Sequence, residues 1–270
     1  MPRTRQPDAA VERRRQAILR AVIEAGEIRI DDLTSRFSVS LMTMHRDLDD
    51  LADRRLLRKF RGRAAAYPAL TMETAKRFRE GLHLPYKEAL CAMAITEVAE
   101  AQTVFLDDST TLFPLARRLA ERDGITVVTN SLEIARIVGE DGRGEVVVLG
   151  GRYTEFDSCV GADALSALRR IRADVGFVSA TAVAASRLYH PVRDYADLKE
   201  AVVAAANRNV LVVDHSKFGR TATYAYGDVS AYDVVITDDQ VPSAEIESLR
   251  AAGTRVVLAS AGIEQESSGI

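Results

Sequence analysis

The apolar positions first follow a helical period. In "ERRRQAILRAVIEAG", Ile18, Ala21, Val22 and Ala25 recur at spacings of three and four, and Gly26 follows where a helix commonly ends. "EIRI" is long enough only for a strand-like connector. Asp31 or Asp32 is then expected to cap a second helix that turns Leu33 and Phe37 inward, with Val39 plugging the turn after it. Ser40 is the expected N-cap of a third helix. On that helix Leu41, Met44, Leu48 and Leu51 share an arc of about a third of the circumference. The other side carries Met42, His45, Arg46 and Asp49, with Thr43 at its edge. One face is satisfied by packing and the other is offered outward. "RRLLRKFRGRA" next places Leu56 and Leu57 inward. It alternates Arg58, Lys59, Arg61 and Arg63 with Phe60 and Gly62, as a two-stranded wing does.

Farther along, the pattern becomes an alternation. Seven short β-rich runs, "TVFLD", "ITVVT", "EVVVLG", "DVGFVSA", "NVLVVD", "DVVITD" and "RVVLA", are separated mostly by amphipathic helical stretches such as "LFPLARRLAER" and "DLKEAVVAAA". Apolar runs of this length between helices predict a doubly wound, largely parallel α/β sheet covered on both faces. The expected layout is a winged helix-turn-helix over residues 8–64, a linker over 65–86, an α/β domain over 87–262 and a tail over 263–270.

Charge sharpens this division. The 270 residues carry a formal net charge of −3, yet the first 63 sum to +5 and the rest to −8. A basic segment on an acidic body points to a polyanion partner for the first part, although a solvated Arg-rich tail is the plainer reading. The two cysteines, Cys91 and Cys159, form no CxxC, so no disulfide framework and no metal site is expected. No signal-peptide core and no run of about 18 apolar residues occurs, so a cytoplasmic chain with no membrane partner is expected.

A helix pair with a basic wing fits duplex DNA. The second helix enters the major groove, Arg pairs with guanine, and wing cations neutralise phosphates. The candidate DNA-contacting residues are Ser40, Thr43, His45, Arg46, Arg58, Lys59, Arg61 and Arg63. Three-helix units with Arg-rich surfaces also dock proteins, so the pattern alone leaves both open.

In the body, ligands of parallel sheets bind at the carboxyl ends of strands. "DDSTT", Asp107 to Thr111, follows the first strand and leads into a helix, a place for phosphate or merely a Ser/Thr cap. Thr129, Asn130 and Ser131 follow the second strand, and Gly150 and Gly151 the third. Lys199 stands near a helix start and Lys217 near a turn; isolated lysines are usually solvated. No GxGxxG follows the first strand, so no dinucleotide cofactor is expected.

Both halves resemble the DeoR family of bacterial transcriptional repressors, from about Arg13 to Leu258. The first half matches at Arg14, Arg15, Gln16, Ile18, Leu19, Leu33, Phe37, Val39, Ser40, Thr43, Arg46, Asp47, Leu48, Leu51, Leu56, Leu57, Arg58 and Gly62. His45, Arg61 and Arg63 depart from the family pattern. In the body, "DDSTT", "VTNS", "LGG", Val160-Gly161, Lys199, "DHSKFG" and "ITD" stand where the family shows "DSGTT", "VTNS", "LGG", "VG", a lysine-bearing helix, "DSSKFG" and "ITD". Asp108 and Ser109 replace Ser-Gly, Ala182 stands at a customary glycine, and Tyr189 and His190 replace Thr-Thr.

The resemblance implies a sensor domain related to sugar-phosphate isomerases and a repressor of carbohydrate genes. It also implies release from a double-stranded operator by a phosphorylated sugar. With the strand-end positions, it makes Asp107, Ser109, Thr110, Thr111, Thr129, Asn130, Ser131, Gly150, Gly151, His190, Lys199 and Lys217 the effector candidates. A homo-oligomer, dimer or tetramer, is expected, since one operator needs more than one reading head. The enzymatic alternative is a sugar-phosphate isomerase or deaminase on the same frame. Asp107, Asp194 and His190 are available for it, but no compact acid/base constellation stands out, so no catalytic residue is assigned.

Overall fold

A computed structural model describes residues 9–25, 27–54, 56–66, 80–141, 143–154 and 156–261. The helix stop at Gly26, most of the expected linker and the expected tail lie outside them. The chain divides into two compact units, Met1–Arg79 and Glu80–Ile270.

The first unit runs α1 (Ala9–Ala25), β1 (Glu27–Arg29), α2 (Ile30–Phe37), α3 (Leu41–Asp53), β2 (Leu57–Phe60) and β3 (Arg63–Ala66). Ile18, Leu19 and Val22 of α1 meet Leu33, Met44, Leu48, Leu51 and Leu57 in one core. The "EIRI" connector proves to be a full strand, pairing Glu27 with Ala65 in a sheet ordered β1-β3-β2. That pairing holds Arg29 extended and makes it the N-cap of α2, without a side-chain cap bond. Asp31 and Asp32, expected as caps, stand instead in the first turn, where the positive helix end favours carboxylates. Two expected core positions are also corrected. Leu41 is 50% exposed and Ala25 is exposed, because each is a terminal helical residue beyond the reach of the core.

The second unit opens with α4 (Leu84–Ala94). Its sheet contains β4 (Thr103–Leu106), β5 (Thr126–Thr129), β6 (Glu145–Val148), β9 (Ala173–Val178), β12 (Ala206–Val212), β14 (Val234–Asp238) and β15 (Arg255–Ala259). All seven are parallel, in the order β15-β14-β12-β9-β4-β5-β6. They are the seven runs read from the sequence. Helices α5 (Phe113–Ala120), α6 (Leu132–Asp141), α7 (Ala162–Leu168), α8 (Arg193–Ala205) and α9 (Ser243–Ala251) connect them. Val104 and Leu106 join the core built with α4, α5 and α6, while Phe105 joins the core on the opposite face with α7, α8 and α9. Period-2 alternation with both faces apolar is what a doubly covered sheet requires.

Five short strands were not anticipated. The hairpin β7 (Arg152–Thr154) and β8 (Ser158–Val160) follows β6, and β10 (Ala182–Ala184), β11 (Arg187–His190) and β13 (Tyr224–Asp228) form a small antiparallel sheet. Cys91 and Cys159 are buried and unpaired with each other. Among the described residues no helix is long and apolar enough to cross a membrane.

Candidate DNA-reading helix and effector site

α3 is set by its first turn. The Ser40 hydroxyl accepts the Thr43 backbone N–H at 3.2 Å and lies 2.9 Å from the Thr43 hydroxyl. This cap fixes the helix start while Leu41 and Met42 stand 50% and 67% exposed beside it. Arg46 is exposed, and Thr43 and His45 are half-buried. The face expected to be open is therefore not sealed within its unit.

Asp47, next in sequence, does the opposite. It is 2% exposed and receives Arg14 Nε at 2.7 Å and Arg15 Nε at 3.0 Å, both from α1. The hydrogen bond to Asp47 holds the Arg14 guanidinium above its ordinary pKa. Two guanidinium groups thus clamp α3 onto α1, fixing the angle at which Arg46 is presented. The sequence carried the sign of this, since Asp47 falls on the arc of Met44, Leu48 and Leu51, where a carboxylate needs a buried partner.

The wing turns at Arg61 and Gly62, with φ of 37° and 77°, the positive pair that a two-residue hairpin turn of the right twist demands. Arg58 and Arg61 are exposed. Lys59 is paired with Asp49 at 2.5 Å, and Arg63 with Glu27. Lys59 and Arg63 must therefore give up carboxylates to reach DNA.

In the second unit the chain runs outward from β4 to β6, then returns beside β4 at β9 and continues the other way. Such a reversal, here between the carboxyl ends of β4 and β9, is where open parallel sheets bind their ligands. Asp107 and Ser179 follow those two strands. The Asp107 carboxylate, 1% exposed, accepts Ser109 N–H at 2.9 Å, Ser179 N–H at 2.9 Å and Lys199 Nζ at 2.5 Å. Lys199, from α8, also donates to the Ser179 carbonyl at 3.0 Å and the Ser109 hydroxyl at 3.3 Å. Three separately predicted positions, Asp107, Ser109 and Lys199, are one hydrogen-bonded cluster.

The rest of that loop leans on α4. Lys87, 4% exposed, donates to the Thr110 hydroxyl at 3.1 Å, and the Cys91 thiol donates to the Thr111 carbonyl at 3.0 Å. Burial pushes that thiol up to about 12, so it is an inert packing group. A short 3-10 turn, Thr110–Leu112, intervenes before α5, so the loop does not enter the α-helix directly. Lys87 escaped sequence reading because nothing distinguishes it from a solvated helical lysine.

Most of the remaining candidates follow strands of the same sheet edge, while His190 ends β11 of the small antiparallel sheet. Ser131 caps α6 by accepting Ile134 N–H at 3.3 Å, and Thr129 accepts Ser131 N–H at 3.0 Å. The Asn130 amide donates to the Cys159 carbonyl at 3.3 Å, while its own Oδ1 is buried without a hydrogen-bond partner among the described residues. Gly151 has φ of 135°, and a Cβ there would lie 2.8 Å from the Val160 carbonyl. His190 Nδ1 accepts Val192 N–H at 3.1 Å, and its ring lies 5.1 Å from that of Tyr195.

Lys217 closes the short turn His215–Lys217 after β12. Burial alone would raise Asp214, but Lys217 and Ser216 hold its carboxyl below the ordinary range. Gly150 after β6 and Lys217 after β12 lie four strand intervals apart, roughly 19 Å, which exceeds one sugar phosphate. The compact site is the part around β4 and β9, and Lys217 and Gly150 are its outer margins. A cavity of about 300 Å³ lined by Arg169, Arg170 and Arg172 lies at the opposite, amino-terminal edge. There Arg172 caps α8 by donating to the Ala204 carbonyl at 2.9 Å. Among the described residues no group of three His, Cys, Asp or Glu could hold a metal ion.

A winged helix-turn-helix ahead of an α/β unit with a polar cluster at its switch point defines a ligand-sensing transcriptional regulator. The DeoR-like helix-turn-helix domain matches residues 14–68, and the DeoR C terminal sensor domain matches residues 83–239. The uncharacterised HTH-type transcriptional regulator YgbI of Escherichia coli strain K12 is 32% identical over 237 residues, covering 87% of this chain and 93% of its own. The glycerol-3-phosphate regulon repressor of the same strain is 30% identical over 244 residues, covering 87% and 94%. The chain belongs to the DeoR family of transcriptional regulators. Among solved structures, ribose 5-phosphate isomerase A of Methanocaldococcus jannaschii aligns over 49% of this chain and 53% of its own. Its 18% identity and TM-score of 0.37 carry no functional weight.

Proposed function

We propose that the protein is a repressor of carbohydrate-metabolism genes, bound to its operator as a dimer or tetramer and released by a phosphorylated sugar. The observation that carries the first half is the open leading turn of α3, where Leu41, Met42 and Arg46 are exposed beside the Ser40 cap. Arg46 supplies a fork for guanine, and the two apolar side chains suit thymine methyl groups. Arg58 and Arg61 of the wing lie on backbone phosphates. For the second half, the switch-point cluster supplies donors, and a relative that represses a glycerol-3-phosphate regulon supports a phosphorylated effector. Asp107 already holds a lysine and two backbone N–H groups, which leaves it ill placed as a catalytic base.

The direct test selects genomic DNA fragments with the full-length protein and follows the selected duplex by fluorescence anisotropy while sugar phosphates are added. Release by a sugar phosphate, and not by its unphosphorylated form, is the expected result. A protein that selects no duplex, or that turns over ribose 5-phosphate or glucosamine 6-phosphate at a rate abolished by Asp107→Ala, overturns it.

A further inference from the structure

The cluster at the switch point leaves one carboxylate over. Asp107 and Lys199 neutralise each other at 2.5 Å, both all but buried. Asp108, the next residue, is half-buried and makes no ion pair among the described residues. Its one hydrogen bond there comes from the Ser158 hydroxyl, which reaches Oδ2 at a long 3.4 Å.

Behind Ser158 stands a line of hydroxyls. Ser158 Oγ is 2.7 Å from the Tyr195 hydroxyl, which is 2.6 Å from Thr154 Oγ1. Ser158 has one proton. When it goes to Asp108, Tyr195 donates to Ser158, and the Thr154 hydroxyl, which lies 3.2 Å from the Ser158 carbonyl as a second acceptor, turns to Tyr195. In that arrangement the three hydroxyl protons point toward Asp108, and its Oδ1 has no donor among the described residues. Of the residues that supply these hydroxyls, Ser158 and Tyr195 are buried, 0% and 2% exposed, and Thr154 is half-buried. The nearby Asp194 carboxylate is already engaged by Arg152.

A half-buried carboxylate with no ion pair among the described residues, met by a chain of hydroxyls beside the switch point, favours a positive group on the ligand and repels a phosphate. We infer that Asp108 receives the ammonium group of an amino-sugar phosphate, whose phosphate lies away from Asp108. This rests on the sugar-phosphate reading above and narrows it to effectors carrying an amine. Asp108 is a specificity-determining residue, set against the amine by Ser158, Tyr195 and Thr154.

The test is calorimetric titration of the full-length protein with two matched pairs: glucosamine 6-phosphate against glucose 6-phosphate, and galactosamine 6-phosphate against galactose 6-phosphate. Within at least one pair the amine should bind about tenfold tighter, the scale of a charge-assisted over a neutral hydrogen bond. Asp108→Asn keeps an acceptor for Ser158, and Asp108→Ala removes it; both should bring the pair to within about twofold. Equal affinity in the parent, a preference for the hydroxyl, or an amine preference that survives both substitutions overturns the inference. Binding of ribose 5-phosphate with none of the four ligands bound also overturns it, while leaving the sugar-phosphate reading intact. If no phosphorylated sugar binds, both fall together.

Discussion

Each unit contains a buried aspartate facing cations, and the two are built for different ends. Asp47, 2% exposed, is held by Arg14 and Arg15, whose side chains remain 28% and 15% exposed on a neighbouring helix. Asp107, 1% exposed, is held by a lysine that is itself 4% exposed and by two backbone N–H groups from the ends of adjacent strands. The first pair joins two helices, α1 and α3. The second sits where the strand order reverses and shares its lysine with a loop hydroxyl. A buried ion pair is thus a clamp or a site according to what the topology opens next to it.

The sharpest way to break this comparison is to remove one partner from each pair. Asp47→Ala should destabilise the first unit by about 3 kcal/mol or more, since two guanidinium groups lose their shared carboxylate. Denaturant unfolding should show an early transition, and operator affinity should fall with it. Unchanged unfolding would mean that α3 is held by its apolar face alone. Lys199→Met leaves Asp107 with its two backbone donors, so a smaller loss of about 2 kcal/mol is expected. Effector response should vanish in this variant. A variant that is destabilised yet fully responsive would make Lys199 a clamp like Arg14.

Two further substitutions sharpen the account of the reading head. Arg46→Ala should cost about 1–3 kcal/mol on the selected operator and relax its base preference, measured against single-base operator variants. Parent-like affinity would remove Arg46 from the readers. Arg61→Ala should lower the slope of log affinity against log salt by about 1 on all duplexes alike. Lys59→Ala should lower it less, because Lys59 is already paired with Asp49. The reverse ranking would mean that the pair opens on DNA.

The smallest effect concerns acid. The Asp214 carboxyl is held below its ordinary value of 3.8, so its contribution is complete at neutral pH and is lost as pH falls through the folded value. Asp214→Asn should therefore flatten the acid limb of the stability curve and leave the region above pH 5 with its original slope. An unchanged acid limb would show that Lys217 and Ser216 do not favour the charged form.

Legibility differed by element for physical reasons. All seven strands of the parallel sheet were readable, because a strand covered on both faces is an uninterrupted apolar run. β7, β8, β10, β11 and β13 were not, since three to five mixed residues show no period and are held by neighbours distant in sequence. Ser40 was legible as a cap because the bond it makes is local. Asp31 and Asp32 were misassigned because β1, which sets the start of α2, is stabilised by β3 more than thirty residues later. Lys87 was invisible for the same reason, its partner Thr110 lying on another element.

The order of apolar and polar residues determined the two kinds of unit, the helix that faces outward and the strand ends that can meet a ligand, because period and capping act over a few residues. Tertiary structure decided which charges are spent and which remain. Only the meeting of α1 with α3 tied up Asp47, and only the meeting of β4, β9 and α8 tied up Asp107 and left Asp108 over. Ion pairing depends on distances of 3 to 4 Å between chain segments far apart in sequence, and no linear pattern encodes those distances.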